Sequence, residues 1–351
     1  MDEAHTATDA LTGCLLGTAV GDALGLPREG LRRGRALRLF GDAPLRHRFL
    51  FGHGMISDDT DHACFVAQAL LAAEGDPQRF ARALAWHLRW WLVGLPAGVG
   101  LATLRGIIKL WLGWPPHRSG VFSAGNGPAM RAPLIGAYAA EDESLLRDLV
   151  RASTRLTHTD PRAEEGALLI ALAARHGRRH GPAPETPAFL LSADEYVTDD
   201  GLRKHIEAIP GHLARRATAQ EFARALKLED GVTGFVTHTV PVALYCWLRY
   251  PTDFRRAVEE VILLGGDTDT TGAIVGGLMG VTLGASAIPD EWLSGLWEWP
   301  RSVNWMRRLT ERLASGASLP LPLPWPGLLL RNPLFALAVI FHGFRRLAPP
   351  Y

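Results

Sequence analysis

Two short runs of this sequence concentrate carboxylates and hydroxyls: Ser57-Asp58-Asp59-Thr60-Asp61, and Gly265-Gly266-Asp267-Thr268-Asp269-Thr270-Thr271-Gly272. Each leads into an apolar stretch of helical spacing. Each can therefore be read as a helix N-cap, since Ser, Asp and Thr accept bonds from free N–H groups. A cap needs one side chain, however, and here several polar residues run together. Adjacent carboxylates repel unless a cation or solvent separates them. The Gly-Gly turn permits a sharp reversal, so Asp267 and Asp269 can point into one cavity, with Thr270 adding a hydroxyl. Both runs offer only hard oxygen donors, which select Mg²⁺, Mn²⁺ or Ca²⁺ over Zn²⁺ or Cu²⁺. Asp58, Asp59, Asp267 and Asp269 together balance two divalent ions. Two such ions can activate a water and hold vicinal hydroxyls or phosphate oxygens.

Weaker signals accompany these runs. Gly21-Asp22-Ala23-Leu24-Gly25 ends an apolar helix, and Glu29 follows the Pro27 break as a loop carboxylate, either a ligand or base or an ordinary surface Glu. Ser123-Ala124-Gly125-Asn126-Gly127-Pro128 is a small-residue turn before a helix, with Pro128 suited to the first helical turn. Exposed N–H groups there can receive phosphate. Gly98-Val99-Gly100, with Thr103, is a second cradle of the same kind. His158, in Thr157-His158-Thr159-Asp160, is placed to stack on or hydrogen-bond a ligand. A lone His is more often structural, and His238 in Thr237-His238-Thr239 is an equal candidate.

The elements that must position these turns are helices. Ala/Leu-rich stretches with helical spacing recur, and alternating strand patterns are scarce. Helices are predicted over Leu11–Leu24, Thr60–Ala73, Pro77–Leu92, Leu101–Trp111, Ala163–His176, Phe254–Leu264, Thr271–Leu283, Pro289–Trp297 and Val303–Ala314. The chain reads as one all-α domain over residues 1–316, with the site built from inter-helix loops. A Pro-rich strap (317–327) carries Pro320, Pro322, Pro324 and Pro326, and its Leu321, Leu323 and Trp325 suggest that it lies against the body. An apolar helical segment (328–351) follows. It reads as a buried terminal helix or dimer contact, with a membrane-surface contact as the alternative. Its apolar core, a helix of ~12 residues reaching ~18 Å, is too short to span a bilayer. Gly181–Asp200 reads as a surface loop.

Composition narrows the function classes. The 351 residues include 47% hydrophobic and 21% charged residues, which argues against disorder. The net charge of +1 provides no global field toward nucleic acid, so that partner is not favoured but stays open. Cys14, Cys64 and Cys246 are too few and too far apart for a disulfide framework or zinc knuckle. A reducing cytoplasm suits them, and the acidic start of the chain lacks the features of an export signal.

Taken in order, Gly21-Asp22-Ala23-Leu24-Gly25 with Glu29, Ser57-Asp58-Asp59-Thr60, Gly125-Asn126-Gly127 with Met130-Arg131, Thr157-His158, and Gly266-Asp267-Thr268-Asp269-Thr270 closely resemble the ADP-ribosylglycohydrolase family, which includes the dinitrogenase-reductase-activating glycohydrolases. The resemblance spans about Leu11 to Leu283. It implies an all-α fold, a centre of two Mg²⁺ (or Mn²⁺), and hydrolysis of the bond between ADP-ribose and an acceptor, releasing ADP-ribose. Its motifs imply Ser57, Asp58, Asp59, Asp267, Asp269 and Thr270 as metal ligands. They imply Glu29 as a ligand, gate or base, with Asp58, Asp59 and Asp269 sharing the catalytic work. Gly98, Gly100, Ser123, Gly125, Asn126 and Gly127 match diphosphate and ribose contacts, and His158 matches a histidine beside the ADP-ribose. The expected partner is an ADP-ribosylated protein, arginine-linked first, or a small ADP-ribose conjugate. Serine-linked, O-acetyl and nucleic-acid acceptors are the alternatives. Two other readings are a different two-metal hydrolase and an inactive ADP-ribose-binding relative.

Overall fold

The structure, a computed structural model, describes residues 6–182, 186–322 and 325–349. These residues form seventeen α-helices and one antiparallel pair of two-residue strands, an all-α architecture. The first half runs α1 (Ala7–Gly25), β1 (Leu31–Arg32), α2 (Arg33–Phe40), α3 (Asp58–Ala73), α4 (Pro77–Val93), α5 (Leu101–Trp111), α6 (Gly127–Tyr138), α7 (Glu143–Arg155) and α8 (Pro161–His180). The second half holds α9 (Ala188–Leu191), α10 (Asp200–Ala214), α11 (Ala219–Ala225), α12 (Val236–Arg249), α13 (Phe254–Ile262), β2 (Gly265–Gly266), α14 (Thr268–Leu283), α15 (Asp290–Ser294), α16 (Val303–Ala314) and α17 (Trp325–Arg345).

The centre of the molecule is the antiparallel pair α1 and α14. Both are buried on all sides, every residue from Ala10 to Gly25 and from Thr268 to Thr282. That is why neither shows a one-sided apolar stripe. Their backbones meet because glycine recurs every four residues on α1. A Cβ built on Gly13, Gly17, Gly21 or Gly25 would stand 2.0–2.2 Å from the carbonyl oxygen of Gly280, Gly276, Gly272 or Thr268 respectively. Thr268 Oγ donates to the Gly25 carbonyl at 2.8 Å and closes the pair at one end. This contact sets the C-terminus of α1, followed by Glu29, beside the N-terminus of α14, which carries Asp267, Asp269 and Thr270. The strands tighten the junction: β1 pairs with β2 through Leu31–Gly266 and Arg32–Gly265, and Gly30 N–H donates to Gly266 O at 2.7 Å. Gly265 and Gly266 have φ of 80° and 84°, a backbone only glycine adopts freely.

Several expectations need correction. The helix predicted over Pro289–Trp297 is only Asp290–Ser294, because Trp297 N–H donates to Gly54 O and Leu296 forms a bridge with Gly54. The loop predicted over Gly181–Asp200 contains α9, and Ala183, Pro184 and Glu185 lie outside the described residues. In the strap, Leu321 is anchored to Gln68 of α3 through both backbone groups, at 2.7 and 2.8 Å. Leu323 and Pro324 fall outside the described residues. The C-terminal helix has 21 residues, Pro333 included, rather than about 12. Both α1 and α17 are long and apolar enough to cross a membrane. The body wholly buries α1 but covers only 39% of the apolar window of α17.

Candidate active site

Ser57 caps α3. Its Oγ accepts from Asp59 N–H at 3.3 Å and donates to Asp59 Oδ2 at 3.3 Å. Thr270, in the first turn of α14, donates to the same Asp59 Oδ2 at 3.3 Å. The two acidic runs, 211 residues apart for this contact, therefore meet directly. Asp22 of α1 is the peg beneath them. Its carboxylate accepts from Ser57 N–H at 2.9 and 3.1 Å, from Thr60 N–H at 3.2 Å and from Thr60 Oγ at 2.5 Å. Burial nonetheless pushes the Asp22 carboxyl up to about 7, against the lowering effect of those bonds.

A cleft of about 300 Å³ opens over this junction. Glu29, Asp58, Asp267, Asp269 and Thr270 line its acidic side, and Gly98, Gly100, Ser123, Gly125, Asn126, Gly127 and His158 line the other. Of the residues singled out from sequence, Ser57 and Asp59 do not reach the cleft wall. Both are buried just behind it, in the bonds described above. A larger cavity, about 810 Å³, is apolar and lies elsewhere, against α17. The smaller cleft is the one with reactive groups.

Its electrostatics are dominated by crowded carboxylates. Burial and then mutual repulsion hold three of them well above the usual carboxylate range. Asp22 and Glu29 act on Asp58, Asp58 and Asp22 on Asp59, and Glu29 and Asp267 on Asp269. Glu29, on the exposed rim, is raised by desolvation and by Asp267, with Arg346 opposing. Among the described residues no cationic side chain forms an ion pair with Asp58, Asp59, Asp267 or Asp269. Asp59 Oδ1 is buried without a hydrogen-bond partner. Groups of this kind call for a cation. No three His, Cys, Asp or Glu side chains among the described residues converge tightly enough to cage an ion by themselves. The donor set therefore needs the Ser57 and Thr270 hydroxyls beside the carboxylates. Such an all-oxygen set suits a hard divalent ion.

The opposite wall is built for close approach. A Cβ on Gly125 or Gly127 would stand 3.0 or 3.1 Å from the His158 ring, and one on Gly98, at φ 87°, 3.6 Å from Asp58 Oδ1. Asn126 donates to Asp267 Oδ2 at 2.7 Å and to Thr239 Oγ at 3.0 Å, tying this wall to the acidic one. His158 is buried, and its pKa falls to about 3 through desolvation, then Arg131, with Asp160 opposing. The ring is neutral near pH 7. Arg131 donates to Thr157 Oγ at 2.9 Å, and that oxygen lies 2.8 Å from His158 Nδ1. With the Thr157 hydrogen given to Nδ1, Nε2–H becomes the donor on the cleft side. His238 instead bonds Thr233 Oγ at 2.9 Å and does not line the cleft.

Sequence reasoning missed two contributors. Gly234 lines the cleft, and a Cβ there would come within 3.1 Å of Asp267 Oδ2. Its signal was the Gly231-Val232-Thr233-Gly234 turn, a further glycine pair, three residues apart where those of the cradle turns are two apart. The role of Asp22 as a peg was missed too, because one Asp inside an apolar helix gives no hint of what it will meet.

The model of the ADP-ribosylglycohydrolase family matches residues 3–320. The chain is 31% identical over 294 residues to an uncharacterized protein of Archaeoglobus fulgidus, covering 81% of this chain and 90% of that one. It is 27% identical to the ADP-ribosyl-[dinitrogen reductase] glycohydrolase of Rhodospirillum rubrum over 82% and 90% of the two chains. To human ADP-ribosylhydrolase ARH3 it is 28% identical, over 80% and 87%. A solved structure of an ADP-ribosylglycohydrolase-related protein complex superposes with a TM-score of 0.66 at 29% identity, covering 89% of this chain and 99% of that one.

Proposed function

The chain belongs to the ADP-ribosylglycohydrolase family, enzymes that hydrolyse ADP-ribose linkages, and on that premise we propose that this cleft cleaves ADP-ribosyl-arginine on protein with the aid of two divalent cations, Mg²⁺ or Mn²⁺. The observation that carries the reading is the meeting of Asp58, Asp59 and Asp269, raised and in no ion pair among the described residues, with a glycine-lined cradle across one cleft. The acceptor assignment follows from charge. Glu29 and Asp267 line the recess next to the cleft, where Asp230 is already paired with Arg32 at 3.8 Å, so a cationic guanidinium would be met by the first two carboxylates. The relative from Rhodospirillum rubrum, which by its name acts on ADP-ribosyl-[dinitrogen reductase], is a precedent for a protein substrate.

Ser57, Asp58, Asp59, Asp267, Asp269 and Thr270 would hold the ions. When bound, such ions supply Lewis acidity and an acidified water. The chain itself does the rest. The turns at Gly98–Gly100 and Ser123–Gly127 receive the diphosphate on backbone N–H groups. His158 donates from Nε2 to the same ligand without adding charge. Glu29, with its raised carboxyl, takes the proton of the attacking water at the anomeric carbon, where positive charge builds as the glycosidic bond opens. Asn126 fixes Asp267.

The test is release of free ADP-ribose from arginine-linked, serine-linked and O-acetyl substrates with Mg²⁺, Mn²⁺ or EDTA. Metal-dependent release from the arginine substrate supports the proposal. Release confined to another acceptor, or insensitive to EDTA, overturns the acceptor or the metal respectively.

A further inference from the structure

The family match ends at residue 320, and α17 lies beyond it. One face of α17 is fastened to the body. Asn332 donates to Gly94 O at 2.7 Å, His342 Nε2 lies 2.5 Å from Phe49 O, and Arg331 is buried in an ion pair with Glu298 at 2.8 Å. Phe335 and Ala338 complete that face against Phe49, Met55 and Leu26. The other face carries Leu330, Leu334, Leu337, Phe341 and Phe344, each more than half exposed. Their alternating four- and three-residue spacing forms one continuous stripe. Beside it, Phe51, Trp297 and Trp299 are also more than half exposed, and they bound the apolar cavity of about 810 Å³ together with Leu334, Leu337 and Phe341. Solvent-facing apolar surface on this scale marks an interaction site.

The charge around the stripe identifies the partner. Residues 31–57 contain six arginines against a single acid, Asp42, and residues 325–349 contain no acid, although the whole chain has a net charge of only +1. Arg38, Arg46, Arg48 and Arg345 are exposed, and Arg48 directly precedes Phe49, whose ring packs on Phe335 and His342 of α17. The Arg345 guanidinium lies 5.8 Å from the Phe40 ring of α2, which joins the basic helix to the end of α17. A second copy meeting this stripe across a two-fold axis would set arginines against arginines. An anionic bilayer surface answers both features, with acyl chains for the apolar stripe, interfacial positions for Trp297 and Trp299, and headgroup phosphates for the arginines.

We propose that α17 and its arginine rim dock the protein onto an anionic lipid surface, lying in the plane of the membrane with the apolar stripe immersed. The opposite face stays on the body, so α17 does not span. This reading is independent of which acceptor the cleft uses.

The experiment is flotation of the full chain with phosphatidylcholine vesicles, with and without about one-third phosphatidylserine. Wild type is expected to partition onto the anionic vesicles at least about tenfold better than onto the neutral ones, with loss at high salt. Leu337→Glu/Phe341→Glu should abolish binding while leaving the thermal midpoint and soluble ADP-ribose release unchanged. Arg46→Glu/Arg48→Glu should weaken it by about fivefold or more per arginine, and this variant carries the test if the first fails to fold. The proposal is overturned if wild type stays off anionic vesicles or if the variants bind like wild type. It is equally overturned if light scattering shows a wild-type dimer that Leu337→Glu/Phe341→Glu splits without any effect on vesicles, which would assign the stripe to a second copy.

Discussion

Adding a single methyl group at Gly276 should damage this protein more than most surface charge reversals. The new Cβ would stand 2.1 Å from the Gly17 carbonyl oxygen and 2.8 Å from its carbon, where real contacts need at least 3.0 Å. Relief therefore requires α1 and α14 to part by roughly 1 Å, as over-packed cores do when they yield. Alanine is favoured over glycine inside a helix by about 1 kcal/mol, which works in the opposite direction. Over-packing a core costs about 1–3 kcal/mol where side chains can shift, and more where both neighbours are backbone. The net expectation is a loss of about 2–4 kcal/mol for Gly276→Ala, and the same for the reciprocal Gly17→Ala. Gly211, in α10, has nothing within 4 Å of its would-be Cβ, so Gly211→Ala should stabilise by about 1 kcal/mol. Urea unfolding of the three variants reads these signs directly. The folded fraction of Gly276→Ala should also turn over up to about 100-fold slower, because α14 carries Asp269 and Thr270 and a 1 Å misplacement at the chemistry costs that much. The reasoning fails if Gly276→Ala is as stable as wild type while Gly211→Ala behaves as stated.

Other outcomes follow from the cleft and the core. Asp269→Asn should abolish ADP-ribose release and the rise in thermal midpoint on adding Mg²⁺ or Mn²⁺, yet stabilise the metal-free protein by removing a carboxyl disfavoured by burial and then by repulsion from Glu29 and Asp267; calorimetry with and without EDTA separates the effects. His158→Ala should weaken ADP-ribose about 10- to 100-fold by calorimetric titration, for loss of a buried donor to a charged ligand. Between pH 5 and 8 the affinity should owe nothing to protonation of this ring, since its pKa is about 3. His87 stacks on Phe65 with ring centroids 5.5 Å apart, and burial lowers its pKa to about 4. The unfolded chain takes up that proton near pH 6.5 and the folded one only near 4, so stability falls as pH drops through this window. His87→Phe should remove about 2 kcal/mol of the loss between pH 7 and pH 5, as read from urea midpoints.

How much of this was legible depended on range in sequence. Turns that carry their own chemistry were readable. Ser57 caps α3 and Pro128 opens α6, and both glycine turns flank the cleft. Helices with clear apolar spacing and no breaker, such as α4 and α16, emerged close to their bounds. Helices α2, α6, α7, α10, α11 and α12 lie outside the predicted ranges. Pro133, Pro210 and Pro241 sit inside α6, α10 and α12, where the lost N–H is tolerated in the folded protein, but α7 has no proline and its omission has no such cause. The four-residue glycine repeat of α1 was visible as letters, but its meaning depends on Gly272, Gly276 and Gly280, far along the chain. The same holds for Asp22, whose four bonds go to residues 35 and 38 positions away.

The pairing of α1 with α14 has a consequence for synthesis. Thr268 and the Gly25 carbonyl it bonds are 243 residues apart. At ~5–20 residues per second, α1 waits about 10–50 s on the ribosome before its partner emerges. Throughout that interval it lacks the helix it packs on most extensively, and it is long and apolar enough to be mistaken for a membrane segment. No fragment that stops short of α14 can bury it, and none can assemble the cleft. The nascent chain therefore depends on whatever shields exposed apolar helices in the cell. Truncated products should aggregate instead of accumulating as half-folded binders of ADP-ribose.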